Sequence, residues 1–315
     1  MTQLQINEER IDKYFDLHIK VLRNLARGKP YQKIKGELLD EFESLNYEQF
    51  GTDFSLLSFD QENKLRGAFP LSPKQTDYLL EVQGLGTSYA MCAIDALGAA
   101  YTFKAKTTIH SRDHISGSPI KIVIDPHQTD YSQYKDYVIS MPKSPVSAKK
   151  EESWDAAIDL CPLIGFFENE KSIPKNQLDI VDILPFEVAL KYGKTIFDLK
   201  KMRLNLKNWI KVLINLYETD RTEDALLSHF RSIETLPNHW SEAEIRQLLI
   251  GGLEGKGLLR PHDEKIDTFI LTLKGKRVAN LFIDQNSTEP ANGIDNKNHE
   301  VACDSCSIAA LQEVR

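Results

Sequence analysis

Cys92 and Asp95 stand three residues apart in Ser88-Tyr-Ala-Met-Cys-Ala-Ile-Asp-Ala-Leu-Gly98. On a helix that spacing puts both side chains on one face, with Cβ atoms about 5–6 Å apart. A soft sulfur ligand then lies beside a group that carries a proton. A second isolated thiol, Cys161, follows 69 residues later, in a chain with only four cysteines. Two thiols and a carboxylate suit chemistry on a thiophilic atom with proton transfer alongside. At a helix start the positive end of the dipole would also lower the Cys92 pKa from about 8.5. Each residue alone has a plainer reading. A cysteine in an Ala-rich helix, or beside an apolar strand, is usually a small buried hydrophobe, and an isolated Asp is usually solvated or capping.

The elements that must position these groups read as α+β. Residues 8–27 carry a helical stripe of Ile11, Tyr14, Phe15, Leu22 and Leu25, stopped by Gly28 and Pro30. A second helix is expected over 33–47, then a hairpin between Leu56 and Phe69 that turns at Asp60–Asn63. These make an N-terminal winged-helix-like unit over 1–73. A mixed core over 74–200 follows. Its strands are expected at 78–82, 107–111 and 119–124, with a short apolar strand at Leu163–Phe167 and a helix over 184–200. Ser88 is placed to cap the helix that carries Cys92 and Asp95. A C-terminal winged-helix-like unit spans 201–285. It has a capping-box pattern at Ser241-Glu-Ala-Glu244, a strand at 268–273 and a helix from Lys274. The tail, 286–315, is polar and expected to be disordered.

Composition narrows the function classes. The net charge of −7 argues against a chain-wide nucleic-acid or anionic-membrane surface. Residues 201–285 hold thirteen Lys/Arg against twelve Asp/Glu. That is thin for DNA binding, which needs several phosphate-facing cations, so packing or dimerisation is the favoured role. The first ten residues lack the blocks of a secretory signal, and no run approaches the ~18 apolar residues of a membrane span. A cytoplasmic protein with reduced thiols is expected. His110, His114 and His127 lack zinc-ligand spacing, and no phosphate loop or nucleophile elbow appears. Cys303 and Cys306 form a CxxC in the polar tail, a weak signal without a surrounding fold. The sharper reading is a flexible dithiol that passes metal on. Deleting residues 300–315 tests it, since an unchanged rate of metal transfer to an acceptor would end it.

The segment Tyr89-Ala-Met-Cys-Ala-Ile-Asp-Ala-Leu97 resembles the active-site helix of the organomercurial (alkylmercury) lyases. Asp60–Gly67, Ser111-Arg112, Gly117-Ser-Pro-Ile120 and Cys161 with Phe166-Phe167 resemble further family segments in the same order, over about residues 10–195. The resemblance implies protonolysis of carbon–mercury bonds, with Cys92, Asp95 and Cys161 at the three catalytic positions. It implies an organomercurial substrate, Hg(II) as product, no cofactor, and mercuric reductase as the Hg(II) acceptor. Two departures stand out. Asp113 replaces a cysteine regarded as structural, and Met91 stands where an aromatic is usual. The competing reading is a non-catalytic metal-binding or metal-sensing winged-helix protein, which would use the same thiols and show metal-dependent DNA affinity.

Overall fold

The structure is a computed structural model that describes residues 6–142, 156–173, 178–217, 220–231, 253–254 and 256–283. Cys303, Cys306 and the capping-box segment at 241–244 lie outside the described residues.

Helix α1, Glu8–Ala26, begins where Asn7 Oδ1 accepts the Arg10 N–H at 2.9 Å, and two glutamates occupy its first turn. It ends before Gly28, whose φ of +75° suits glycine. The single helix expected over 33–47 is instead a series of short ones: α2 (Tyr31–Glu37), α3 (Leu39–Leu45) and α4 (Tyr47–Asp53). Asn46 separates the last two in a left-handed conformation, φ 53°, which Asn tolerates better than most residues. The break turns Phe42, Tyr47 and Phe50 onto α1. The Tyr14 and Phe50 ring centroids lie 3.8 Å apart, and the Tyr14 hydroxyl donates to the Tyr47 carbonyl. Burial of this aromatic cluster outweighs the continuous helical periodicity.

A seven-stranded antiparallel sheet follows, with spatial order β1-β2-β3-β5-β4-β6-β7. Its strands are β1 (Leu57–Phe59), β2 (Leu65–Ala68), β3 (Leu71–Ser72), β4 (Leu79–Val82), β5 (Gly86–Ala90), β6 (Thr107–Arg112) and β7 (Pro119–Ile124). The β1–β2 hairpin is the one expected from sequence. It also joins the rest of the sheet, because β3 pairs Leu71 with Ala90 on β5. The sheet thus continues from β2 through β3 to β5. Helix α5, Ala93–Phe103, is buried along its whole length. A second antiparallel sheet of three strands has the order β10-β8-β9: β8 (Val138–Pro142), β9 (Phe166–Phe167) and β10 (Val181–Pro185). The short helix α6 (Ala156–Asp159) precedes β9.

Helix α7, Phe186–Phe197, packs on α5. The contact depends on Gly193, where a Cβ would come within 3.0 Å of the Gly98 nitrogen and the Ile94 carbonyl. Asp198 caps α8, Leu199–Asn215. Beyond it lie β11 (Arg221–Thr222), α9 (Glu223–Arg231), β12 (Leu259–Pro261), β13 (Thr268–Leu271) and α10 (Leu273–Phe282). This C-terminal segment packs on the N-terminal helices. Lys207 pairs with Asp12 at 3.1 Å, Arg203 pairs with Asp16, and Arg277 grips Asp53 at 2.7 Å. The Phe50 and Phe282 rings meet at 4.9 Å, and Asn7 donates to the Phe282 carbonyl. Among the described residues no helix is long and apolar enough to cross a membrane.

Candidate active site

Strand β5 delivers Cys92 to the start of α5. The sequence suggested Ser88 as the cap. The structure corrects this: Ser88 is a buried strand residue opposite Leu80, and the helix starts at Ala93 with Cys92 at the N-cap. Pairing on both edges of β5, to β3 and to β4, keeps the chain extended through Ala90. Helix formation waits until that pairing ends.

Cys92 and Asp95 thus occupy the N-cap and N3 positions. Asp95 reaches back to the Cys92 backbone N–H, as the acidic member of a capping box does. The Cys92 thiol does not bond the helix amides. It donates instead to Asp95 Oδ2 at 3.0 Å. Cys161 Sγ donates to the same oxygen at 3.8 Å. The three ligand atoms lie within 4.8 Å of one another. Among the described residues this is the one group of three or more His, Cys, Asp and Glu side chains arranged to hold a metal ion. Both cysteines are free thiols.

Cys161 starts a 3-10 turn, Cys161–Leu163, with Pro162 in its second position. The strand expected over 163–167 is shortened to Phe166–Phe167. Leu163 to Gly165 are spent turning the chain, with Leu163 donating to Leu160 and Ile164 to Cys161. Tyr78 and Ser140 hydrogen-bond to the backbone of this turn, a role no local sequence signal marks.

Burial dominates the electrostatics. Asp95, 4% exposed, has its carboxyl pushed up to about 7 by desolvation, against the opposing pull of the two thiols and the Cys92 amide. The Cys92 thiol is pushed well above its ordinary value, first by burial and then by Cys161 and Asp95. From the sequence, the helix dipole is expected to lower it. That expectation fails because the dipole is a fraction of a charge, while desolvation opposes a full thiolate. The resting cluster is therefore protonated at Cys92, with Asp95 poised near neutrality.

The two departures noted in the sequence have structural counterparts. Asp113 ties the loop after β6 to the strand beyond Cys161, accepting from Ile115, Ser116 and Glu168 N–H groups at 2.8–2.9 Å. Met91 lies against Gly67, where a Cβ would meet its sulfur at 2.8 Å. His110 faces Glu81 at 3.2 Å, and His114 stacks edge-on against Phe167.

Residues 71–198 match the family model described as MerB, alkylmercury lyase. The matched segment contains Cys92, Asp95 and Cys161, and it starts well after residue 10, where the sequence resemblance was drawn. The solved mercury-bound form of MerB2 is similar at 20% identity, covering 62% of this chain and 99% of that one, with a TM-score of 0.44. No curated protein matches the chain.

Proposed function

We propose, for a chain whose residues 71–198 match the alkylmercury lyase family model, that Cys92, Asp95 and Cys161 cleave carbon–mercury bonds by protonolysis. The supporting observation is one carboxylate oxygen, Asp95 Oδ2, within reach of both thiols. Sulfur is a soft ligand, and mercury is among the softest metals.

The atoms balance as follows for a substrate R–Hg–X. One thiol displaces X, and its proton leaves as HX. The second sulfur bonds to mercury as its proton passes to the Asp95 carboxylate. Two sulfurs now push electron density onto the metal and weaken the bond to carbon. That bond breaks with its electron pair on carbon, which takes the proton from Asp95. R–H leaves, Hg(II) stays on two thiolates, and Asp95 is a carboxylate again. Mercury is divalent throughout, so the step consumes no electrons.

The electrostatics support these roles. A carboxyl poised at about 7 exists in both forms near neutral pH, as a group that accepts and then returns a proton requires. The high Cys92 value means that its proton leaves as the sulfur–mercury bond forms, so the buried site need not hold a free thiolate beforehand.

The same reading takes residues 1–73 and 201–285 as winged-helix-like units flanking a core over 74–200. The β1–β2 and β12–β13 hairpins beside their helices support it. Mercuric reductase is the proposed Hg(II) acceptor. The test is purified protein mixed with methylmercury and excess small thiol. Methane should be released in proportion to Hg(II) formed. Methylmercury held intact on the protein would leave a binding or sensing role instead.

A further inference from the structure

We propose that Tyr78 and Ser140 are positioning residues that set the gap between the two thiols by gripping the turn that carries Cys161. This rests on the lyase reading for its consequence in turnover, but its geometry stands apart from that reading.

Cys92 and Cys161 belong to separate elements, so covalent structure does not fix their separation. The 3-10 turn's internal bonds set its shape but leave its placement open. Placement comes from outside the turn. The Ile164 carbonyl accepts the Tyr78 O–H at 3.0 Å and the Ala93 N–H at 3.3 Å. Ala93 is the first residue of α5, adjacent to Cys92. Ser140 Oγ donates to the Leu163 carbonyl at 2.7 Å and accepts the Gly165 N–H at 2.9 Å. The Ser140 N–H also donates to the Gly165 carbonyl at 3.1 Å. Polar groups of three consecutive residues after Pro162 are thus taken up by β8, by the α5 start and by Tyr78.

Tyr78 is also locked on the Cys92 side. Its carbonyl accepts the Ala90 N–H at 2.9 Å, and its own N–H donates to Thr76 Oγ. The Thr76 hydroxyl in turn donates to the Ala90 carbonyl at 2.7 Å. Tyr78 therefore joins a point two residues before Cys92 to a point three residues after Cys161. Its ring is buried 5.9 Å from that of Phe166, which fixes its direction. Neither hydroxyl is assigned a proton in the cleavage steps. Both act on where a sulfur sits, and a displacement of about 1 Å at a reacting group costs on the order of 10²-fold in rate.

The experiment uses the full chain, with Tyr78→Phe, Ser140→Ala and, as a remote control, Thr102→Val. The control removes the buried hydroxyl bond from Thr102 to the Phe197 carbonyl, near the far end of α5. Hg(II) alone is titrated into each protein, following sulfur-to-mercury charge-transfer absorbance and Hg–S distances by X-ray absorption. Methylmercury turnover is measured in parallel. Tyr78→Phe and Ser140→Ala are each expected to weaken or lengthen one Hg–S contact. They should also lower kcat about tenfold or more with little change in KM. 4-Aminophenylalanine at position 78, which returns a donor, should restore both readouts, and Thr102→Val should change neither. Wild-type Hg(II) coordination in either Tyr78→Phe or Ser140→Ala overturns the proposal, so one folded variant suffices. Should the wild-type protein bind Hg(II) but cleave nothing, the lyase reading fails and the coordination measurements still decide this one.

Discussion

Asp53, Asp113 and Asp95 are buried to the same degree, at 1%, 2% and 4% exposed, yet they are met by different partners. Asp53, at the end of α4, receives the Arg277 guanidinium through both oxygens. Asp113 receives three backbone N–H groups, which hold its carboxyl below the ordinary range although burial works to raise it. Asp95 receives two thiols and one amide, and among the described residues no lysine or arginine pairs with it. The first two carboxylates are compensated as ions and tie segments together. The third is left with a strong affinity for a proton, a costly arrangement unless the proton is used.

The largest expected effect comes from taking the thiols away from Asp95. Cys92→Ser and Cys161→Ser should each reduce methane release from methylmercury to background, because serine oxygen is a hard, poor ligand for mercury. Turnover persisting in either variant would separate the cluster from the chemistry. The comparison is sharpened from the other side by Arg277→Met, which strips Asp53 of its cation and leaves a buried carboxylate with the Gln49 amide at 3.2 Å. Stability should fall by about 1–2 kcal/mol, since the half-exposed guanidinium is screened by solvent, read by denaturant unfolding, with kcat of the remaining folded protein unchanged. A loss of kcat would mean that the C-terminal segment acts on the site.

A smaller effect is expected in the pH dependence of stability. The Asp95 carboxyl is raised from 3.8 to about 7, so between those values the folded state binds more protons than the unfolded chain. Its contribution is present in full below pH 3.8 and is lost as pH rises through 7. The melting temperature of the wild-type protein should therefore fall relative to Asp95→Asn across that window and run parallel above it. Asp113 has the opposite sign, stabilising above its unfolded value and failing in acid. Parallel melting curves for wild type and Asp95→Asn throughout would mean that Asp95 is compensated like the other two.

These contrasts were only partly legible in the sequence. The nearness of Cys92 and Asp95 was legible in their spacing, although they meet as N-cap and N3 and not on one helix face, and strands were legible at 107–111 and 119–124. The start of α5 was not legible, because what delays it is the pairing of β5 with two other strands. The breaks at Leu38 and Asn46 answer to aromatic packing against α1, which no helical period records. Cys161 reaches Asp95 through a turn held by Tyr78 and Ser140, and those contacts exist only in the fold. Only family resemblance joined the two thiols in advance. The direction of the Cys92 shift was misjudged for the same reason, since burial is a tertiary property.

The central claim is that Asp95 hands a proton to carbon while both sulfurs hold mercury. A single-turnover reaction with methylmercury in deuterated water, run on the wild-type protein and on Asp95→Asn, tests it most directly. The wild type should release singly deuterated methane with one Hg(II) left on two sulfurs. Asp95→Asn should hold methylmercury on its thiols and release methane more slowly by about 10²–10⁴-fold, the usual contribution of a positioned general acid. Release from Asp95→Asn at the wild-type rate would contradict the claim.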